Sequence, residues 1–159
     1  MAEYSANLAQ NIAPSANAIF TATPVPSSNN LIFHRDESGI FRLASPAKII
    51  GRIYGGCCCN RSILEALYNV TFHGNIAIPT GGTVGEISMA IAIDGSVDPS
   101  STMISTPTAV GSFDNISTGI IVAVPAICGC ESVSIVNTSD QTITLQNANL
   151  TIEYAGIKI

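Results

Sequence analysis

Alternation of apolar and polar side chains is the main signal along this chain. From Ile87 to Ile93 every second residue is large and apolar, the residues between are Ser or Ala, and the run ends at Asp94-Gly95. A period of two is typical of a strand with one face toward a core, and Asp-Gly is a favoured hairpin dipeptide. The pattern predicts a strand and a tight turn, and its small apolar second face is a candidate contact with a neighbouring subunit.

The same signal recurs along most of the chain. Tyr68, Val70 and Phe72 alternate with polar residues and predict a strand, preceded at 62–67 by a stretch with modest helical spacing. Two apolar segments around a charged turn predict a hairpin from Leu31 to Leu43. Further strands are predicted at 102–108, 115–124, 131–137, 142–145 and 149–157. Short strands without strand–helix–strand alternation favour an all-β, antiparallel jelly-roll sandwich over residues 31–159.

The first 30 residues differ from the rest of the chain. They carry one charged side chain, Glu3, together with Pro14, Pro24 and Pro26, and only 16–23 has the pattern of a short strand. We therefore expect residues 1–30 to form an N-terminal arm with a short strand, docked on a neighbouring subunit or platform. A frayed terminus is the alternative interpretation.

Composition supports the β assignment and excludes several classes of function. Ile, Val and Thr supply 45 of the 159 residues, and these β-branched types favour strands. With 47% hydrophobic and 11% charged residues, the chain is not of the disordered class. Six cations at a net charge of −5 cannot form the basic stripe that binds nucleic acid. No apolar run approaches the roughly 18 residues of a membrane span, so no membrane partner is expected.

The five cysteines are Cys57, Cys58, Cys59, Cys128 and Cys130. The N-terminus lacks the basic and apolar regions of a secretory signal, so we expect assembly in a cytoplasm, where disulfides are rare. An odd number leaves at least one thiol without a partner in its own chain. Neither cluster has the usual zinc-ligand spacing. Thiols buried as small hydrophobes, a disulfide between the clusters and a metal site all stay open.

No arrangement of catalytic side chains is evident. Acidic residues such as Glu86, Asp94 and Glu131 are spread singly, and the common catalytic and calcium-loop motifs are absent. The charge cluster from His34 to Glu37 is either a site or a solvated hairpin tip whose charges partly pair. His73 fits a surface or interface residue. We expect no catalytic, cofactor or metal site, and retain a hydrolase only if folding joins two carboxylates or a Cys–His pair.

Several segments resemble known proteins. The strand ending at Ile93-Asp94-Gly95, the Val-Asn-Thr-Ser turn at 136–139 and the closing Asn-Ala-Asn-Leu-Thr-Ile strand at 147–152 resemble trimeric jelly rolls of the tumour necrosis factor-like class. They look closest to the C-terminal heads of collagen-like exosporium proteins of spore-forming bacteria, without a collagen stalk. The resemblance covers roughly residues 65–159 and implies a threefold trimer, in agreement with the scarcity of charge.

The first half resembles a different set of proteins. Segments 20–26, 34–43 and 74–85 are similar to small proteins encoded with structural genes of tailed phages that infect Firmicutes. This resemblance implies a virion protein assembled in the bacterial host cytoplasm.

These features together predict a non-enzymatic homotrimer that decorates or cements a phage capsid, or forms a head fibre. Its arm would contact the major capsid protein or another virion protein. The alternative is a recognition module at a fibre or spike tip, binding host glycan or protein through loops near 94–101 and 112–117. The aromatic content favours decoration, because the chain has no Trp and four tyrosines: Tyr4, Tyr54, Tyr68 and Tyr154.

Overall fold

The computed structural model describes residues 1–28, 30–35, 37–45, 65–125 and 130–158. Within these ranges the strands, in chain order, are β1 (Ala2–Ala6), β2 (Gln10–Ile12), β3 (Ala22–Val25), β4 (Ile32–His34), β5 (Phe41–Ala44), β6 (Glu65–Ala77), β7 (Ile87–Ile93), β8 (Ser96–Val97), β9 (Met103–Ser105), β10 (Asp114–Pro125), β11 (Cys130–Asn137) and β12 (Ile143–Lys158). A single-turn 3-10 helix spans Pro99–Ser101. In the same ranges, no helix is long and apolar enough to cross a membrane.

The strands form two antiparallel sheets. Sheet one has the order β10-β6-β12-β1-β3, with β2 also paired to β12. Sheet two has the order β4-β5-β11-β7-β8, with β9 also paired to β7. The first long strand therefore pairs with the last, and the chain crosses repeatedly between sheets, as in a jelly roll. The predicted all-β antiparallel sandwich is confirmed.

The core lies between the sheets and is built from the inward residues of the alternating pattern. In β6, Tyr68, Val70 and Phe72 are fully buried, while Asn69 and Thr71 between them are exposed. Burying one such side chain contributes about 1.5–3 kcal/mol. The inward residues of β7 are buried as predicted, but Ala90 and Ala92 on its second face are also buried within this single chain. That face of β7 is therefore not a free surface for a neighbouring subunit.

The first 25 residues belong to the sandwich and do not form an arm. β1 pairs with β12 along its whole length, β3 pairs with the other edge of β1, and Ala2 and Tyr4 are buried. The strand predicted at 16–23 is replaced by an isolated bridge between Asn17 and Val136, followed by β3. Small residues pack inside a sheet without producing a strong apolar pattern, which is why the sequence pattern missed this strand.

Two strands predicted near the C-terminus are one. β12 is continuous from Ile143 to Lys158, with register shifts between Gln146 and Asn149 and between Tyr154 and Gly156 in its pairing with β6. Such irregularities interrupt the period of two, so the pattern had indicated a break. The segment predicted as a strand at 102–108 is strand only in β9, whereas β10 and β11 match their predicted ranges closely.

The two ends of the sandwich carry different loops. β11 ends where the turn 138–142 leads into β12, and the start of β12 pairs with the end of β6, Thr144 opposite Ala77. The end with loops 78–86 and 138–142 is called the upper end. The backbone N–H of Asp94 donates to the carbonyl of Ser132, near the start of β11. The Asp94-Gly95 turn therefore lies at the opposite, lower end.

Candidate binding surfaces

The hairpin formed by β4 and β5 anchors its histidine inside the protein. The His34 ring stacks on Phe41, with centroids 4.4 Å apart and an interplanar angle of 12°, and lies 5.0 Å from the Tyr4 ring. Its Nε2 is 2.9 Å from the carbonyl oxygen of Ser38. Because side chains alternate along β4, the His34 ring points toward the core. It is therefore separated from the charged side chains that are its neighbours in the sequence.

The outward side of the same hairpin carries a groove of about 580 Å³. Phe33 lies directly opposite Arg42 in the β4–β5 register, and both side chains face away from the core. Arg35 and Ile40 line the groove beside them, and Phe33 and Ile40 are 50% and 47% exposed. Neither arginine forms an ion pair with another described residue. Asp36, one of the two acidic residues of the cluster, lies outside the described residues, so the pairing of charges at this hairpin tip stays a prediction.

A second groove, of about 590 Å³, lies at the upper end. Gln141 closes one side, because its Oε1 accepts from the N–H of Thr83 at 3.0 Å and its Nε2 donates to the Thr83 carbonyl at 2.9 Å. The hydroxyls of Ser88 and Thr138 are 2.7 Å apart on another side. These groups bond to one another and hold the 78–86 loop against the β11–β12 turn.

Two carboxyl groups meet at the lower end. Asp94 Oδ1 accepts from the N–H and the Oγ of Ser132, at 2.7 and 3.0 Å. Hydrogen bonding to Asp94, burial and the Asp94 charge raise the pKa of Glu131 to about 7. Hydrogen bonds from Glu131 and from the Ser132 backbone lower the pKa of Asp94. The two groups therefore share one proton over part of the neutral pH range.

A hydrolase was kept as an alternative in case folding joined two carboxylates, and Asp94 and Glu131 are such a pair. Their geometry, however, does not fit a glycosidase. Glycosidases place a sugar, or a sugar and a water, between carboxyl groups that are about 5 Å or more apart. Asp94 and Glu131 instead hydrogen-bond to each other, which leaves no room for a substrate atom between them. Asp94 is exposed at a turn and lines neither of the grooves described above. The arrangement suits a proton-sensitive contact better than bond cleavage.

The remaining candidate residues lie apart. His73 is exposed on the outer face of sheet one, as the sequence predicted, and Cys130 is a free, exposed thiol at the start of β11. Cys57, Cys58, Cys59 and Cys128 lie outside the described residues. Among the described residues, no three His, Cys, Asp or Glu side chains are grouped to hold a metal ion.

The outer face of sheet one is broad, and its charged side chains are Glu3, Glu153 and, in the row at the lower end, the paired Glu65 and Lys158. Its central cross-strand rows are Ile121-Asn69-Glu153, Gly119-Thr71-Thr151-Glu3 and Ser117-His73-Asn149-Ser5. Ile121 is 66% exposed near one edge. The Glu3 carboxylate accepts from Asn149 Nδ2 at 2.6 Å, so one of the two acidic side chains in these rows is already engaged.

The tips of the two loops expected to recognise a host ligand lie at opposite ends of the sandwich. The Asp94-Gly95 turn is at the lower end, whereas Asp114 pairs with Ile76 at the upper end. Tyr4 and Tyr68 are buried, and Tyr54 lies outside the described residues. The large exposed aromatic side chains of the described chain are instead Phe33 and Phe113. The number of aromatic residues in the sequence did not predict these two exposed rings, because phenylalanine is usually a core residue.

Comparison with known proteins shows the fold. No protein-family model and no curated protein matches this sequence. The globular domain of zebrafish complement 1qA protein is similar in structure, with a TM-score of 0.54 and 11% identity over 94% of this chain and 94% of that chain. Family 35 carbohydrate-binding modules from Clostridium thermocellum and Cellvibrio japonicus give TM-scores of 0.34 and 0.37 at 13% and 12% identity. They cover 93% and 92% of this chain, and 90% and 97% of their own. The chain thus has a jelly-roll fold like that of the complement globular domain.

Proposed function

We propose that this chain is a non-enzymatic, homotrimeric structural protein of a phage virion, in which the outer face of sheet one forms the contact between subunits. The observation that carries the proposal is the scarcity of charge in the central rows of that face. Depletion of charged residues is typical of interface cores. The trimeric state and the virion setting rest on the sequence resemblances to tumour necrosis factor-like jelly rolls and to small phage structural proteins.

The size of the face is adequate for a stable contact. Three strands of at least ten residues and the five-residue β1, about 4.8 Å apart, give roughly 550 Å² of sheet surface. A standard interface buries about 800 Å² per partner, so side chains beyond the sheet plane supply the difference. Ile121 offers an exposed apolar anchor. Thr71 and Thr151 carry no charge, so burying them does not require the desolvation of an ion. A trimer joined through this face leaves the outer side of sheet two free.

A mass measurement with two lysine variants tests the trimer. Light scattering on the purified chain is expected to give three times the chain mass of 16.5 kDa. Ile121→Lys places a charge in each contact and is expected to yield monomers, whereas Ile104→Lys, at a residue 60% exposed on sheet two, leaves the trimer intact. A monomeric parent protein, or equal effects of the two variants, contradicts the assignment of this face.

Purification of intact phage particles tests the virion role. Mass spectrometry is expected to detect the chain in particles, and imaging is expected to locate it on the capsid or a head fibre, attached to the major capsid protein or another virion protein. Absence from the particle refutes the virion role. The absence of the chain from particles would not affect the mass measurement of the trimer. The virion role and the trimeric state are therefore tested independently.

A further inference from the structure

We propose that the groove on the outer side of the β4–β5 hairpin, lined by Phe33, Arg35, Ile40 and Arg42, binds a saccharide that carries a carboxylate. The inference goes beyond the structural role, and it does not depend on the trimer. It rests on three properties of the groove: free positive charge, an exposed aromatic ring and a size that suits a small ligand.

The charge of the groove is the first property. The whole chain has six Lys and Arg side chains, and two of them line this groove. Lys158 is engaged elsewhere, 3.5 Å from Glu65, whereas Arg35 and Arg42 form no ion pair or hydrogen bond with the described residues. Asp94 lies in the same cross-strand row as Arg42, but its Oδ1 already accepts from Ser132. Among the described residues, no acceptor therefore occupies the donors of the two guanidinium groups, and Arg binds a carboxylate in a bidentate manner.

The apolar surface beside the arginines is the second property. Phe33 is 50% exposed and Ile40 is 47% exposed, although each lies in or beside a strand whose inner face is buried. The register holds Phe33 directly opposite Arg42, so ring and guanidinium are neighbours on one surface. An apolar wall with a few polar groups that fix orientation is the usual composition of a small-ligand site. The flat ring offers a platform for the C–H face of a pyranose.

The size of the groove decides between a saccharide and a peptide. Six residues of one hairpin line about 580 Å³, which falls in the range of small-molecule sites. A stable protein partner usually contacts about 20–30 residues on each side. One or two sugar units fill the groove, whereas a folded acidic protein needs a much larger surface. Arg42 lies on β5 of sheet two and Arg35 lies in the loop that follows β4, so the site stays open when sheet one is covered.

Binding of three matched probes tests the proposal. Tetragalacturonate carries four carboxylates, its full methyl ester has the same sugars without charge, and tetraglutamate has the charge without sugars. Calorimetric titration at low salt is expected to show binding of tetragalacturonate, at least tenfold weaker binding of both other probes, and an affinity that falls as salt is added. Tighter binding of tetraglutamate assigns the groove to acidic peptides and overturns the saccharide. Binding of the ester as tight as that of the acid refutes the role of the arginines.

Matched variants locate the binding. Arg35→Gln, Arg42→Gln and Phe33→Ala are each expected to weaken tetragalacturonate binding at least tenfold, with melting temperatures near that of the parent protein because all three side chains are exposed. Lys158→Gln removes the same charge and Phe113→Ala, at 43% exposure, removes a comparable ring, and both are expected to retain full affinity. No binding by the parent protein, or equal losses in the controls, overturns the proposal. The oligomer mass of each variant separates this failure from that of the trimer.

Discussion

Asn137 is 1% exposed at the end of β11, and its side-chain amide joins three parts of the chain. Its Nδ2 donates to the carbonyl oxygens of Ile12 and Gln141, each at 2.9 Å, and its Oδ1 accepts from the N–H of Ser139 at 2.8 Å. The amide thus ties the N-terminal strands to the β11–β12 turn. Asn137→Ala removes all three hydrogen bonds at once.

The expected loss of stability follows from the burial of the groups left behind. The carbonyl of Ile12 becomes a buried acceptor without a partner, which costs about 1–3 kcal/mol. The other two bonds are partly buried, so water replaces some of their energy and each loss costs about 1 kcal/mol. We expect the free energy of unfolding to fall by about 3–5 kcal/mol, a large share of the usual 5–15 kcal/mol. The melting temperature should fall by roughly 10 °C for a chain of this length.

Urea and thermal unfolding, followed by circular dichroism, measure this change. Chain concentration is held constant, because the stability of an oligomer depends on it. Asn7→Ala, at an exposed residue in the turn after β1, serves as control and is expected to change the free energy of unfolding by less than about 0.5 kcal/mol. Asn137→Asp keeps the acceptor but loses both donors, and should destabilise at least as much at pH 7. A loss below 1 kcal/mol for Asn137→Ala would refute the reasoning.

Two further predictions concern single contacts. The raised pKa of Glu131, about 7, favours the folded state while this carboxyl is protonated, so the melting temperature should fall between pH 5 and pH 8. Glu131→Gln keeps a donor toward Asp94 without titrating and should flatten this part of the profile; an unchanged slope contradicts the assignment. A Cβ at Gly39 would lie 2.4 Å from the carbonyl oxygen of Ala18, so Gly39→Ala should cost about 1–3 kcal/mol in urea unfolding. Gly85→Ala, whose nearest neighbour is 4.0 Å away, should be close to neutral, and equal losses at the two glycines would disprove the steric explanation.

The candidate surfaces were only partly predictable from the sequence. The hairpin around the charge cluster was predicted, and so was the exposed position of His73 on β6. The sequence did not reveal that His34 turns inward onto Phe41 while Phe33 turns outward beside Arg42. A strand conformation places neighbouring side chains on opposite faces. Which of the two faces is buried depends on the side chains that pack against it from the opposite sheet. Here Tyr4 of β1 packs against the inner face of the hairpin and selects His34.

The carboxyl pair at the lower end was likewise not predictable from the sequence. Asp94 and Glu131 are far apart in the chain, and each looks like an isolated acidic residue in the sequence. They meet because β7 and β11 pair in the register Ile93 opposite Val133, which carries the adjacent turn onto Ser132. Backbone hydrogen bonds hold this register without selecting it, because every residue except proline offers the same donor and acceptor. The register is selected by the packing of the buried face of both strands and by the turn. The local sequence around each residue therefore carries little information about contacts between residues that are distant in the chain.

The sequence by itself determined the class of fold and the two faces of the long strands. Alternation with a period of two is a local property, since successive side chains of any strand point to opposite sides. The order of strands, the place of the N-terminal residues in sheet one and the grouping of Phe33 with the two arginines were decided by the tertiary structure. Small residues such as Ala2 and Ala6 become core only because β12 and the opposite sheet surround them. Burial is a property of the packed sandwich, and a residue's own type sets only its tendency toward it.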